Sequence, residues 1–191
     1  DTHYYRVGKM CYKKNAGQHN MSTLWEAQFN MYGAEIRPFI EVQKWLQSNE
    51  WAATFIYKRV CIMKVYKKER LPGVWDIVIH HIMAKEQRMG HGTRAVLALT
   101  IEASKVGWGV RVEYLMNEAS RGLSRRLIRS YGFTFTPRNE DVIYLLFERY
   151  MDPSTVYSPI DVKEYLPRYY EAVGIRLEEP PSKRRRKYYT F

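Results

Sequence analysis

Residues 74–106 read VWDIVIHHIMAKEQRMGHGTRAVLALTIEASKV, and this stretch decides the fold. Its first part, Val74 to Met83, is rich in β-branched and aromatic residues, which predicts a strand. Its last part, Thr93 to Val106, is apolar on most sides and predicts a well-buried helix. A glycine-bearing turn, Gln87 to Gly92, joins the two. The order is therefore strand, turn and helix.

This order of elements predicts an anion-binding cradle at the turn. Backbone N–H groups at a helix N-terminus have no intrahelical partner, and the helix dipole adds partial positive charge there. A phosphate or pyrophosphate is the natural ligand of such a site. Gly90 and Gly92 lack the Cβ atoms that would keep a ligand away from the backbone. The alternative is that the two glycines simply turn the chain, and their spacing alone favours neither interpretation.

The flanking residues extend the pattern on both sides. The preceding residues predict a first strand, two helices and three antiparallel strands, which lie at Tyr4–Tyr12, Ser22–Tyr32, Pro38–Ser48, Ala53–Tyr57, Val60–Tyr66 and Val74–Met83. The following residues predict a strand, an amphipathic helix and a closing hairpin, which lie at Val110–Leu115, Glu118–Tyr131, Phe133–Thr136 and Val142–Tyr150. A further short helix is expected within Pro159–Val173, interrupted by Pro167.

Two ordered motifs carry a resemblance to a known family. Gln87, Gly90 and Gly92 match the three fixed positions of Gln/Arg-x-x-Gly-x-Gly/Ala, which resembles motif A of the GCN5-related N-acetyltransferases. Downstream, Asn117 after a strand and the Tyr131-Gly132-Phe133 run after a helix resemble motif B of that family. The resemblance covers residues 51–151, and it implies one acetyltransferase domain over residues 1–151 with a C-terminal extension over residues 152–191.

The resemblance also implies a fold of the α/β (α+β) class. The expected core is a mixed, mostly antiparallel sheet of roughly six to seven strands flanked by about four helices. The fourth strand, at Val74–Met83, and the fifth, at Val110–Leu115, are expected to splay apart.

Acetyl-coenzyme A is the co-substrate that the resemblance implies. In the family, the turn of motif A holds the pyrophosphate, and here that turn consists of Gln87, Arg88, Met89, Gly90, His91, Gly92 and Thr93. The backbone of the fourth strand, at Ile82 and Met83, would lie beside the pantetheine arm. Asn117 is expected near the splay of the two strands.

Asp76, His80 and Tyr131 are predicted to carry the chemistry. Asp76 stands eleven residues before Gln87 on the fourth strand, where the histone-acetylating branch of the family has a glutamate base. The other interpretation is that Asp76 is solvated on the open face of the sheet or paired with a local Lys. His80 shares a face with Asp76, whereas the adjacent His81 is expected on the opposite face. One of these histidines could relay protons, or both could be ordinary hydrogen-bonded residues.

This sequence lacks a Tyr at the position where the family usually carries its general acid. Many members carry a Tyr four residues before the Gly of motif B, and this position is Ile128 here. Tyr131 lies three residues later and substitutes for it only if the end of the helix is distorted. Which residue would protonate the leaving thiolate therefore stays open.

The net charge of +11 favours acidic partners. Arg121, Arg125 and Arg129 form a stripe at helical spacing, with Arg126 alongside, and Lys183–Lys187 is a basic run in the tail. Both are expected to contact nucleic acid or an acidic protein, and the stripe could also contact coenzyme phosphates, although a solvated helix face is the ordinary role of such a stripe.

The cysteine content and the hydropathy pattern bear on the cellular compartment. The two cysteines, Cys11 and Cys61, are widely spaced, which predicts neither a metal site nor a disulfide framework and favours a reducing, cytoplasmic compartment. No apolar run reaches the roughly 18 residues of a membrane-spanning helix.

Two functions therefore stay open at the level of sequence. The first is an acetyl-coenzyme A-dependent N-acetyltransferase that acts on a primary amine of a protein lysine, an N-terminus or a small molecule. The second is a catalytically inactive protein of the same fold that serves as a component of a larger assembly, such as a viral particle. The complete cradle favours the first, whereas Ile128 and the basic extension favour the second.

Overall fold

A computed structural model of the protein describes residues 4–7, 10–13, 25, 35–113, 118–136, 139–145 and 162–176. Asn117, the basic run Lys183–Lys187 and most of the helix predicted over Ser22–Tyr32 lie outside the described residues.

The chain is a mixed α/β protein, which confirms the expected class. The described strands are β1 (Tyr4–Val7), β2 (Met10–Lys13), β3 (Ile36–Pro38), β4 (Ala52–Tyr57), β5 (Cys61–Leu71), β6 (Val74–Ala84), β7 (Gly109–Val112), β8 (Thr134–Thr136) and β9 (Asn139–Leu145). A 3-10 turn over Phe39–Glu41 leads into the first of the described α-helices, which are α1 (Val42–Leu46), α2 (His91–Lys105), α3 (Glu118–Tyr131) and α4 (Val162–Ala172).

The strands β3 to β9 form one sheet in the order β3-β4-β5-β6-β7-β9-β8. The pairs β3/β4 and β6/β7 are parallel, and the other neighbours are antiparallel. The strands β1 and β2 pair with each other in a separate antiparallel hairpin. A single strand over Tyr4–Tyr12 was therefore the wrong prediction, because the described residues of this segment form two strands that pair with each other.

The core lies between the sheet and the helices. One face of the sheet, which we call the helix face, includes Ile77 and Ile79 of β6 and packs against the buried residues of α2. Nine residues of α2 are buried, which confirms the prediction of a well-buried helix. The opposite face, the second face, carries Asp76 and Val78, because successive residues of a strand alternate between faces.

The helix of the C-terminal extension belongs to the same core. Tyr169 is fully buried and Val173 is 4% exposed, and both pack in the cluster that includes α2. Pro167 lies within α4, so the expected interruption at this residue was wrong. Pro167 is exposed, and burial of Tyr169 and Val173 offsets the cost of about 3 kcal/mol that an internal proline imposes.

Candidate functional site

The turn between β6 and α2 has the backbone conformation that its glycine pattern requires. Gly90 has a φ of 75° and is the N-cap of α2 in the left-handed region, and Arg88 also has a positive φ, of 63°. No side chain caps the N-terminus of α2. Within the part of the chain that the structure describes, the first-turn N–H groups of residues 91–93 donate to no protein acceptor.

Two guanidinium groups stand at this turn. A Cβ atom placed on Gly90 would lie 2.9 Å from Nη1 of Arg94 and 3.7 Å from Nη1 of Arg126. Nη2 of Arg94 donates to the Met89 carbonyl at 2.8 Å and contacts Nδ1 of His91 at 2.9 Å. Neither arginine forms an ion pair with a described residue. Two cations and the positive end of a helix therefore converge on Gly90.

The described pairing of β6 with β7 extends to Ile79 on β6. The last register pair joins Ile79 to Val112, and the Glu113 N–H donates to the Ile79 carbonyl at 2.9 Å. The strand β6 continues to Ala84, and no described residue of β7 pairs with it beyond that bond. This side of β6 is therefore free of described strand partners from His80 onward.

Ile82 and Met83, the residues predicted to lie beside the pantetheine arm, are on this free stretch and point to different faces. A Cβ atom on Gly92 would lie 3.7 Å from Cγ2 of Ile82, so Ile82 supports the start of α2. Met83 packs with Ile62 and Trp25 on the second face. Both residues remain next to the turn that is predicted to bind the coenzyme.

Asp76 is buried and paired with an arginine. Its side chain is 2% exposed, and its carboxylate accepts from Nε of Arg70 at 3.1 and 3.4 Å. Burial raises the pKa of Asp76, while the nearby charges of Arg70, Arg111 and Lys68 and the hydrogen bond from Arg70 act in the opposite direction. The structure thus places Asp76 in an ion pair with a cation on the neighbouring strand.

A β-bulge changes the positions of the two histidines. His81 pairs with Lys64 and Ile79 pairs with Val65, so His80 is the extra residue in β6. Residues directly opposite each other in an antiparallel pair share a face, which puts His81 on the second face with Lys64. The His80 ring lies 5.4 Å from the ring of Tyr66, also on that face. The expectation that the two histidines occupy opposite faces was wrong, because the bulge interrupts the alternation.

Tyr131 does not lie with Asp76 and His80. Its ring centroid is 5.9 Å from that of Tyr169, and its carbonyl accepts a hydrogen bond from the Tyr169 hydroxyl. It packs against the core on the helix face, whereas Asp76 and His80 are on the second face. The structure therefore brings Asp76 and His80 onto one surface and does not bring Tyr131 to them.

The structure adds residues that the sequence did not single out. Arg94 follows the cradle within α2 and was not singled out. Arg126 was noted beside the arginine stripe of α3, but its place next to Gly90 depends on how α3 packs and was not visible in the sequence. Glu113 accepts a hydrogen bond from the Tyr66 hydroxyl at 3.0 Å, and the two residues are 47 positions apart. The alternation of Val110, Arg111, Val112 and Glu113 was the available signal, because it places Arg111 and Glu113 on one face.

A separate cavity of about 450 Å³ opens at the other end of α2. Its lining is mostly apolar and includes Phe39, Tyr57, Ile101 and Val173. Because α2 separates this cavity from Gly90, it is not part of the cradle.

The sequence matches no protein-family model and no curated protein. Within the described part of the chain, no helix has the length and apolar character to cross a membrane, and no cluster of three metal-ligating side chains occurs.

Proposed function

We propose that this protein is an acetyl-coenzyme A-dependent N-acetyltransferase with a fold of the GCN5-related type. The acceptor would be a primary amine, on a protein lysine, an N-terminus or a small molecule. The β6–α2 turn would bind the diphosphate of the coenzyme, and the free stretch of β6 would bind its pantetheine arm.

One observation carries this proposal. The first-turn N–H groups of α2 have no described partner, and the side chains of Arg94 and Arg126 lie beside Gly90, the N-cap of the same helix. A diphosphate supplies acceptors to the N–H groups and negative charge to the guanidinium groups. The adjacent stretch of β6 beyond Ile79 has no strand partner on the β7 side among the described residues and would offer its backbone groups to an extended ligand.

Coenzyme binding is the first test. Isothermal titration calorimetry with acetyl-coenzyme A should give saturable binding, and a ligand at 100 times its Kd should stabilise the folded protein by about 2.7 kcal/mol in a thermal-shift measurement. Inorganic pyrophosphate should compete with the coenzyme. Absence of both signals at millimolar acetyl-coenzyme A would refute the proposal.

A matched pair of variants locates the binding. Arg126 and Arg129 are both exposed on α3, but only Arg126 lies near Gly90 in the structure. Arg126→Gln should weaken acetyl-coenzyme A binding about tenfold, which corresponds to the loss of one charged hydrogen bond. Arg129→Gln should leave the affinity unchanged. Equal losses in both variants would indicate a general charge effect and would count against the cradle.

A binding role on the same fold is the second candidate. Arg121, Arg125 and Arg129 are exposed on α3 and form no ion pair with a described residue. Such a stripe suits the phosphates of nucleic acid or the carboxylates of an acidic protein. Replacing all three by Gln should lower the slope of log K against log salt for duplex DNA by about 2.7, at roughly 0.9 per phosphate contact. An unchanged slope would exclude the stripe as a DNA contact.

A further inference from the structure

Three polar side chains, from β5, β6 and the residue that follows β7, meet on the second face beside the last described pair of β6 and β7. The Tyr66 hydroxyl of β5 donates to Oε2 of Glu113 at 3.0 Å. The Tyr66 ring lies 5.4 Å from the imidazole of His80 on β6. The Glu113 N–H donates to the Ile79 carbonyl at 2.9 Å, which fixes the backbone of Glu113 one residue from His80. We call these three residues the Tyr66–His80–Glu113 group.

The imidazole of His80 has an unused nitrogen. Nδ1 of His80 is buried and has no hydrogen-bond partner among the described residues. Asp76, by contrast, is bonded to Arg70 through both of its carboxylate oxygens. A proton acceptor needs a lone pair and access to the substrate, and the His80 side chain is partly exposed beside the free stretch of β6, whereas Asp76 is 1% exposed. His80 therefore meets the requirement better than Asp76.

The charges around His80 come from every neighbouring strand. Lys64 and Tyr66 face it from β5, His81 adjoins it on β6, and Arg111 and Glu113 approach from the β7 side. Burial lowers the pKa of His80, Lys64 lowers it further, and Glu113 raises it. A neutral imidazole at pH 7 can accept a proton, and Glu113 stabilises the imidazolium that forms.

We propose that His80 is the catalytic base of the acetyl transfer, with Glu113 as a positioning residue that Tyr66 orients. This inference depends on the proposed function. The amine nitrogen forms a bond to the thioester carbonyl carbon and passes one proton to His80. The carbon–sulfur bond then breaks, and the imidazolium returns the proton to the coenzyme thiolate. The products are the amide and free coenzyme A, so that atoms and charge balance.

The first experiment measures the histidine itself and requires no acceptor amine. In ¹H–¹⁵N NMR of the full chain, acetyl-coenzyme A should shift the ring signals of His80. Glu113→Gln should lower the titration midpoint of His80, because it removes the carboxylate charge that raises it. A His80 signal that is indifferent to bound acetyl-coenzyme A, or a midpoint that Glu113→Gln leaves in place, would overturn the assignment.

The second experiment measures turnover with poly-L-lysine and spermine as acceptors, by release of the coenzyme thiol. His80→Gln should lower kcat by about 10²-fold, at the lower end of general-base effects, with the calorimetric Kd of acetyl-coenzyme A unchanged. Glu113→Gln should move the acid limb of the kcat/KM profile to lower pH. His81→Gln is the matched control, and a kcat loss as large as that of His80→Gln would refute the choice of His80.

The two proposals fail in different ways. If acetyl-coenzyme A does not bind the wild-type chain, the proposed function is wrong. If it binds, and His80→Gln turns over at the wild-type rate, only the assignment of the base is wrong.

Discussion

Replacement of Gly90 by Ala tests the cradle at its narrowest point. Gly90 has a φ of 75°, a conformation that costs an L-residue about 1–2 kcal/mol. Gly107, at the other end of α2, has a φ of 73° with nothing within 4 Å of its Cβ position. The two alanine variants therefore carry the same backbone strain, and only the surroundings of the new methyl group differ.

The methyl group at position 90 has a specific consequence. Its carbon would lie 2.9 Å from Nη1 of Arg94, which is closer than van der Waals contact allows. The Arg94 guanidinium would have to shift, which weakens its contacts with the Met89 carbonyl and Nδ1 of His91. We expect Gly90→Ala to lose about 1 kcal/mol more in the free energy of unfolding than Gly107→Ala, because a hydrogen bond contributes about that much.

The effect on ligand binding should be larger than the effect on stability. The methyl group would also keep a phosphate away from the first-turn N–H groups of α2. Loss of one or two charge-assisted hydrogen bonds, at about 1.5–3 kcal/mol each, predicts at least a tenfold increase in the Kd of acetyl-coenzyme A. Calorimetry and urea unfolding on both variants provide the comparison. A Gly90→Ala protein that binds the coenzyme as tightly as Gly107→Ala would show that the backbone of the turn does not hold it.

Three further predictions concern stability. Lys67 donates to the carbonyls of Trp45 and Ser48 at 2.7 and 2.6 Å. Lys67→Met should therefore lower the free energy of unfolding, measured with urea, by about 2 kcal/mol. The same change at the exposed Lys44 should alter it by no more than about 0.5 kcal/mol. Asp76→Asn should lower the free energy of unfolding by about 2 kcal/mol because it leaves the Arg70 charge unpaired. The control is Glu50→Gln, which removes an exposed pair with Arg37. A loss for Asp76→Asn no greater than that of the control would contradict a structural role for the Asp76–Arg70 ion pair. Burial, Lys64 and His80 lower the pKa of His81 to about 4 in the folded protein. Between pH 6.5 and 4 the unfolded chain therefore binds a proton that the folded chain does not, and the free energy of unfolding should decrease as the pH is lowered. The loss at pH 5 should be about 2 kcal/mol, and His81→Gln should abolish this part of the pH dependence.

The local elements of the site were predictable because their signals lie within a few residues of each other. The alternating and β-branched residues of 74–84 indicate β6, and the apolar run after Gly92 indicates α2. The left-handed conformation at Gly90 follows from the need to turn sharply into a helix, which glycine meets without strain. The ends of β5 and β9 were less well predicted, since the limits of a strand depend on its partner.

The positions of the polar side chains were harder to predict. His80 and His81 are adjacent, and simple alternation separates them, but one inserted residue in β6 brings both to the second face. The partner of Asp76 is Arg70, on the other strand of a hairpin, where a second shift in register falls between Glu69 and Leu71. A bulge depends on how two strands fit together, so neither strand alone indicates it.

The sequence by itself determined the strand, turn and helix that form the cradle, because backbone conformation is governed by each residue and its near neighbours. The tertiary structure alone decided which side chains meet: Arg94 and Arg126, from two helices, lie beside Gly90, and Tyr66 of β5 contacts Glu113, the residue after β7, on the second face. Such contacts depend on strand register and helix packing, which the whole core sets at once.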